Sequence, residues 1–236
     1  MISEGTLVCI PALNESEAIV GTLTRLVSFV PKSNILVIDD GSQDDTAQKC
    51  RDFGVRTVSL AFNLGVGAAM RTGFTFAKRN GFNKVLQFDA DGQHLPEFLE
   101  VLEEGLDTYD VVVGSRFRYD DTYQVGKVRS AAMKFLCYTV SRLIGVKLTD
   151  VTSGFRGASS RAIEIFSINY PTEYLGDTVE SLMVAHKSNL SVGEVGVRMQ
   201  PRLGGVPSNG PLRSAFSMAR MLGAILIFII NNSLSK

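Results

Sequence analysis

Short apolar runs alternate with longer stretches of helical period along most of this chain. The runs predict strands over Thr6–Ile10, Asn34–Ile38, Arg56–Leu60, Lys84–Phe88 and Asp110–Gly114. A helix is predicted after each, over Ser16–Phe29, Asp44–Phe53, Gly67–Asn80, Pro96–Leu106 and Val128–Ile144. In the first helix Leu23, Leu26, Val27 and Val30 recur at the spacing of a buried face. Strands and helices in this alternation build a mostly parallel sheet with helices on its faces, so the class is α/β. After Gly145 the regularity weakens. Thr152–Arg156 reads as a loop, Thr178–Lys187 as a helix, and Val192–Met199 alternates like a strand. Pro201–Pro211, rich in glycine and proline, reads as a loop expected to move. No boundary precedes Leu212. Residues 1–211 are therefore one domain, and 212–236 a C-terminal helix.

That helix has two halves. Arg213, Ser217 and Arg220 repeat at helical spacing as a polar stripe, whereas Met221–Ile230 is apolar all round. Ten such residues reach only ~15 Å, about half a hydrocarbon core. The segment is too short to span as one helix. It could lie in a membrane interface, insert shallowly, pack on a membrane protein or a second copy, or sit in the core. Elsewhere no apolar run has the length of a membrane span, and Met1–Gly5 lacks the basic and apolar regions of a signal peptide. Lys plus Arg total 24 and Asp plus Glu 24, so bulk charge gives no argument for nucleic acid. The three cysteines are scattered, without metal-ligand spacing, which fits reduced thiols in a cytoplasmic protein.

Candidate chemistry gathers where strands meet helices. Asp89 and Asp91 close the apolar run Lys84–Phe88. Residues i and i+2 of a strand share a face, so the two carboxylates are expected to converge at its carboxyl end, where open α/β sheets bind ligands. Paired carboxylates with substrate phosphates suit Mg²⁺ or Mn²⁺; the alternative is a turn whose acids cap the next helix. His94 could add a ligand or stay unliganded. Asp39 and Asp40 end the second strand, where they could accept from base N–H or ribose hydroxyl groups. Asp44 and Asp45 favour the start of the helix that follows. Asn14 or Ser16 could cap the first helix, with Glu15 at its positive end. Asn63–Gly73 looks at first like a dinucleotide fingerprint. It lacks the third glycine and follows the wrong strand; close packing or close approach to a substrate explains its glycines better. Arg116, Arg129, Arg156 and Arg202 could hold phosphate in a fork or form ion pairs.

In order and spacing, these elements resemble a family-2 glycosyltransferase of the GT-A fold, closest to the dolichol- or polyprenyl-phosphate sugar synthases. The matching pieces are Ile10–Glu15, Asp39–Thr46, Asn63–Gly65, Asp89–Asp91, Gly114–Arg116, Ser153–Arg156, Glu180, Gly193–Val195 and Arg202. The resemblance implies a Rossmann-like nucleotide-sugar-binding domain. In it Pro11, Ala12, Leu13, Glu15, Ile38 and Asp39 contact the donor, with Asp40 and Gly65 nearby. It implies that Asp89 and Ala90 border the diphosphate, that Asp91 ligates the metal with Asp89 and Gln93 as further ligands, and that Arg116 and Arg202 hold phosphates. Two departures stand out. No lysine follows Arg202 in the closing loop, and Leu13 replaces a common aromatic.

The resemblance also implies inverting transfer in a single displacement from a UDP- or GDP-linked sugar. The expected acceptor is a polyprenyl phosphate at the cytosolic membrane face, with Arg129 as candidate for binding that phosphate. A hydroxyl acceptor in polysaccharide or glycolipid assembly would instead need a base, with Asp177 and Glu180 as candidates and Glu180 preferred by the family pattern. A third reading is a non-catalytic nucleotide-sugar-binding subunit serving a membrane partner.

Overall fold

The computed structural model describes residues 2–119, 127–172 and 177–202, apart from the side chains of 119 and 127–129. Its N-terminal part is a parallel series. β1 (Thr6–Ala12), β2 (Ile35–Asp39), β3 (Arg56–Ser59) and β4 (Lys84–Gln87) are linked by α1 (Ile19–Leu26), α2 (Thr46–Phe53) and α3 (Val66–Arg79). Then come α4 (Leu99–Gly105), β5 (Val111–Ser115), the short α5 (Arg116–Tyr119) and α6 (Lys127–Ile144). β6 (Arg156–Ser159), α7 (Ser160–Asn169), α8 (Asp177–Lys187) and β7 (Val192–Gly196) complete the described chain. The sheet order is β3-β2-β1-β4-β6-β5-β7. β6 is antiparallel to both β4 and β5, while β5 and β7 are parallel.

Alternation along the strands decides which helix each residue meets. Leu7 and Cys9 of β1, Leu36 and Ile38 of β2, and Val111 and Val113 of β5 face α3, α6, α7 and α8. Val8 and Ile10, Ile35 and Val37, and Val112 face α1, α2 and α4. Strands apolar on both faces must be covered on both, the signature of a doubly wound sheet. The predicted α/β architecture is the one observed, a Rossmann-like GT-A sheet.

Three local readings change. Thr152–Arg156 is not all loop, because Arg156 opens β6 at the centre of the sheet. Arg-Gly-Ala-Ser has no β pattern of its own; pairing on both sides and the anchored Arg156 side chain hold it in place. The first helix starts at Ile19, not Ser16, because residues 14–16 are drawn into the neighbouring loop. β4 stops at Gln87, so Asp89 and Asp91 lie past the strand, and strand alternation is not what places them. The loop and helix expected over Leu203–Lys236 lie outside the described residues. Among those residues no helix is long and apolar enough to cross a membrane.

The close-packing reading of the third helix's glycines holds at Gly67. A Cβ there would lie 2.1 Å from the Pro171 carbonyl oxygen. Gly67→Ala gains up to ~1 kcal/mol of helix propensity, against an overpacking cost of about 1–3 kcal/mol. The clash is with backbone, so overpacking wins. The variant is expected to unfold at lower urea concentration than the native protein, and an equal or higher midpoint would contradict the packing.

Candidate active site

The carboxyl ends of β1, β2 and β4 open onto one acidic cradle. Its first wall is two interlocked loops. Asn14, at φ 53°, donates its N–H to Ser42 Oγ and accepts from Gln43 N–H at Oδ1, both at 2.9 Å. Ser16 N–H donates to Asp44 Oδ2, and Glu15 N–H to Thr46 Oγ1. Asn14 and Ser16 therefore brace the acidic turn rather than cap α1, which has no side-chain cap. Asp39 is buried and accepts from Ser42 N–H at Oδ1. Asp40 gives its two oxygens to Leu64 N–H and Gly65 N–H, at 2.9 and 2.8 Å. It thus anchors the start of α3. Pro11, Ala12, Leu13, Ile38 and Gly65 sit along this wall at the ends of β1 and β2 and the start of α3.

The second wall is the Asp89–Gln93 turn. Thr22 Oγ1 donates to the Ala90 carbonyl at 2.8 Å, and Arg25 Nη2 to the Gly92 carbonyl at 3.1 Å, so α1 props the turn from below. Asp91 is buried and accepts from Gln93 N–H at 2.9 Å. Asp89 is more open, with 37% of its side chain exposed. His94 packs flat on Phe155, with ring centroids 4.4 Å apart. Its Nδ1 accepts from Asp89 N–H at 2.9 Å and its Nε2 lies 3.4 Å from Asp89 Oδ2. Both ring nitrogens are committed to Asp89, so His94 positions that aspartate and is not a third metal ligand. Burial holds its pKa below the usual imidazole value.

Across the cradle lies Arg202. Gln200 N–H donates to the Gln93 carbonyl and Gln200 Nε2 to the Gly92 carbonyl, laying residues 199–202 beside the turn. Arg202 Nη2 then reaches Asp91 Oδ2 at 2.9 Å, and Nη1 lies 3.5 Å from Glu15 Oε1. Glu15 Oε2 is buried without a hydrogen-bond partner. Burial raises the Glu15 carboxyl to about 7; Arg202 opposes that shift, and Asp91, Asp89 and Asp44 add to it. Two acids thus grip a cation here, with one buried oxygen to spare. Hard carboxylate oxygens suit Mg²⁺ or Mn²⁺, and Asp89, Asp91 and the Gln93 side chain could hold one. Among the described residues no three Asp, Glu, His or Cys side chains group as a metal site. Phosphates and water would have to complete the coordination, as Mg²⁺ sites commonly require.

Arg116 stands at the end of β5. Its Nε and Nη2 meet Asp150 at 2.6 and 2.8 Å, and Nη2 also meets Thr152 Oγ1. Glu194 accepts from the N–H groups of Thr149 and Asp150, fixing the loop that holds Asp150. The Asp150–Glu194 support escaped the sequence reading, because the partners lie far apart in the chain. Arg156 is no phosphate ligand. It is buried, donating to the carbonyls of Ser153, Val151 and Thr178 and to Ser181 Oγ. The side chain of Arg129 lies outside the described residues.

Of the two candidate bases, Glu180 is half-buried on α8. Asp177 begins that helix deep in the protein, and its Oδ2 is buried without a hydrogen-bond partner. Burial pushes Asp177 up to about 6, with Arg156 opposing and Asp89 adding to the shift.

A family model for glycosyl transferase family 2 matches residues 7–166. The chain belongs to that family. It is 32% identical over 170 residues to a polyprenol monophosphomannose synthase of Mycolicibacterium smegmatis, spanning 69% of this chain and 64% of that one, so just under two thirds of that relative is matched. It is 34% identical over 176 residues to an undecaprenyl-phosphate mannosyltransferase of Micrococcus luteus, spanning 69% of this chain and 70% of that one. The fold matches glucosyl-3-phosphoglycerate synthase of Mycobacterium tuberculosis, solved with Mn²⁺, UDP-glucose and phosphoglyceric acid. There the TM-score is 0.69 at 22% identity, over 94% of this chain and 79% of the other.

The buried Asp177 makes stability depend on pH. An acid whose pKa rises on folding holds its proton in the native state after the unfolded chain has lost it. Stability is then lost as pH climbs from the unfolded value of 3.8 to about 6. Asp177→Asn removes the charge, so at pH 7.5 the variant is expected to be more stable by on the order of 2 kcal/mol. The gap should close below pH 4. Urea midpoints at the two pH values check this; a variant less stable at pH 7.5 would refute a buried charge at that position.

Proposed function

We propose that this chain transfers a sugar, with inversion, from a nucleotide-diphosphate sugar to a polyprenyl phosphate at the cytosolic face of a membrane. One observation carries the reading. The carboxyl edge of the sheet holds a cation, Arg202, between Asp91 and Glu15, beside a buried Asp39. Asp39 suits a base or ribose donor, and the Arg202 fork suits a diphosphate. The names of the two mannosyltransferase relatives support a lipid-phosphate acceptor.

In this reading Asp39, Pro11, Ala12, Leu13, Glu15 and Ile38 position the nucleotide, with Asp40 holding Gly65 and the start of α3 in place. Arg202 leaves Asp91 when the donor's phosphates arrive, which frees Asp91 Oδ2. A divalent ion held by Asp91, Asp89 and Gln93 would stabilise negative charge on the departing diphosphate. Arg116, kept rigid by Asp150, faces the reacting phosphates, and Arg129 receives the acceptor phosphate. That phosphate is already ionised near neutral pH, so the attack needs no protein base.

A second reading has its own observation, the buried Asp177 oxygen without a partner. With a hydroxyl acceptor, Asp177 or Glu180 would take the proton.

Incubation with labelled nucleotide sugars and a short, water-soluble polyprenyl phosphate separates the two readings. A lipid-linked sugar is the expected product, and glycosylation of a hydroxyl acceptor alone would overturn the proposal. Asp91→Ala is expected to lower metal-dependent transfer by at least about 100-fold. It should also abolish Mn²⁺ binding, measured by electron paramagnetic resonance, with folding unchanged by circular dichroism. Near-native turnover in the variant would remove Asp91 as the ligand. Thermal shifts with UDP and GDP then identify the base, since a tight ligand stabilises the native state.

A further inference from the structure

One face of α6 is unlike the rest of the surface. Its inner side, Met133, Leu136, Cys137, Val140 and Ile144, is buried in the core. Its outer side presents Lys134, Phe135, Tyr138 and Arg142, at spacings that keep them on one stripe. Phe135 is 59% exposed and Tyr138 70%, two large aromatics left open among the described residues. Among the described residues Lys134 and Arg142, four positions to either side of Tyr138, form no ion pair. We propose that this stripe is a docking surface for an anionic lipid bilayer, bringing the acceptor's phosphate to Arg116.

Charge and side-chain shape favour a bilayer over a protein. Aromatic rings settle at the headgroup level, and long cations beside them reach anionic headgroups while their stems stay on apolar surface. A protein partner of ordinary interface chemistry would favour arginine and deplete lysine, whereas this stripe carries one of each beside its aromatics. The helix is also tied to the site. Ser141 Oγ bonds both the N–H and the carbonyl of Leu148, and Cys137 Sγ donates to the Thr149 carbonyl. The next residue, Asp150, holds Arg116. The stripe is therefore separated from the Arg116 support by about one helix diameter, ~10 Å. The inference rests on the lipid-phosphate reading above and adds an attachment independent of the C-terminal segment.

The full chain is floated with phosphatidylcholine vesicles, with and without phosphatidylglycerol, alongside two double variants. Phe135→Ser with Tyr138→Ser is expected to weaken partition onto anionic vesicles about a hundredfold, since burying one such ring is worth about a decade in affinity. Its unfolding midpoint and its transfer to the water-soluble acceptor should not change. Lys134→Gln with Arg142→Gln is expected to remove both the preference for anionic vesicles and its weakening by salt. Unchanged partition in both variants would overturn the proposal. Unchanged vesicle binding with a lower midpoint, or with a smaller oligomeric mass, would assign the stripe to Met221–Ile230 or to a second copy. Loss of vesicle binding in a protein that makes no lipid-linked sugar would leave the docking surface standing and remove the activity reading.

Discussion

Carboxylates bonded to backbone amides hold the functional edge of this protein together. Asp39 accepts from Ser42, Asp40 from Leu64 and Gly65, and Asp44 from Ser16 and Thr46. Asp91 accepts from Gln93, Asp150 from Arg116 and Thr152, and Glu194 from Thr149 and Asp150. Each bond fixes a loop that regular strand pairing leaves free, and charge-assisted bonds of this kind are stronger than neutral ones. The same oxygens gather negative charge at the ends of the strands. That accumulation is tolerable only where donors or cations answer it. Amides answer most of it, Arg116 answers Asp150, and Arg202 reaches Asp91 and one oxygen of Glu15.

Arg202 is therefore part of what holds this edge together. An acidic cradle of this kind is unstable when no cation answers it, because buried acids repel one another. A guanidinium on a flexible stem can neutralise the cradle and then withdraw. It also ties Met199–Arg202 to the Asp89–Gln93 turn.

Much of this was legible in the sequence, and the limits have physical causes. Two-sided apolar runs announced β1, β2, β4 and β5, because each residue position there faces a helix layer. The junction residues Glu15, Asp39, Asp89 and Asp91 stood out because acids at strand ends are unusual without a ligand or a donor. β6 was invisible, since Arg156–Ser159 owes its strand to neighbours on both sides rather than to its own side chains. Asp150 was invisible for a related reason: its partner Arg116 is distant in the chain, and only folding joins them. His94 was ambiguous until its ring nitrogens were seen to serve Asp89. Asn14 and Ser16 carried a capping signature that a neighbouring loop claimed instead.

The antiparallel strand β6 also has a consequence for how the chain reaches this state. Until residue 156 is available, β4 has one naked edge and β5 has no partner on that side. Leu86 can pair with Gly157, and Val112 with the same glycine from the other side, only after some seventy residues separate it from β4. Such distant contacts are slow to form and leave strand edges open while they are awaited. The parallel half of the sheet therefore keeps β4 as an open edge until that strand is made.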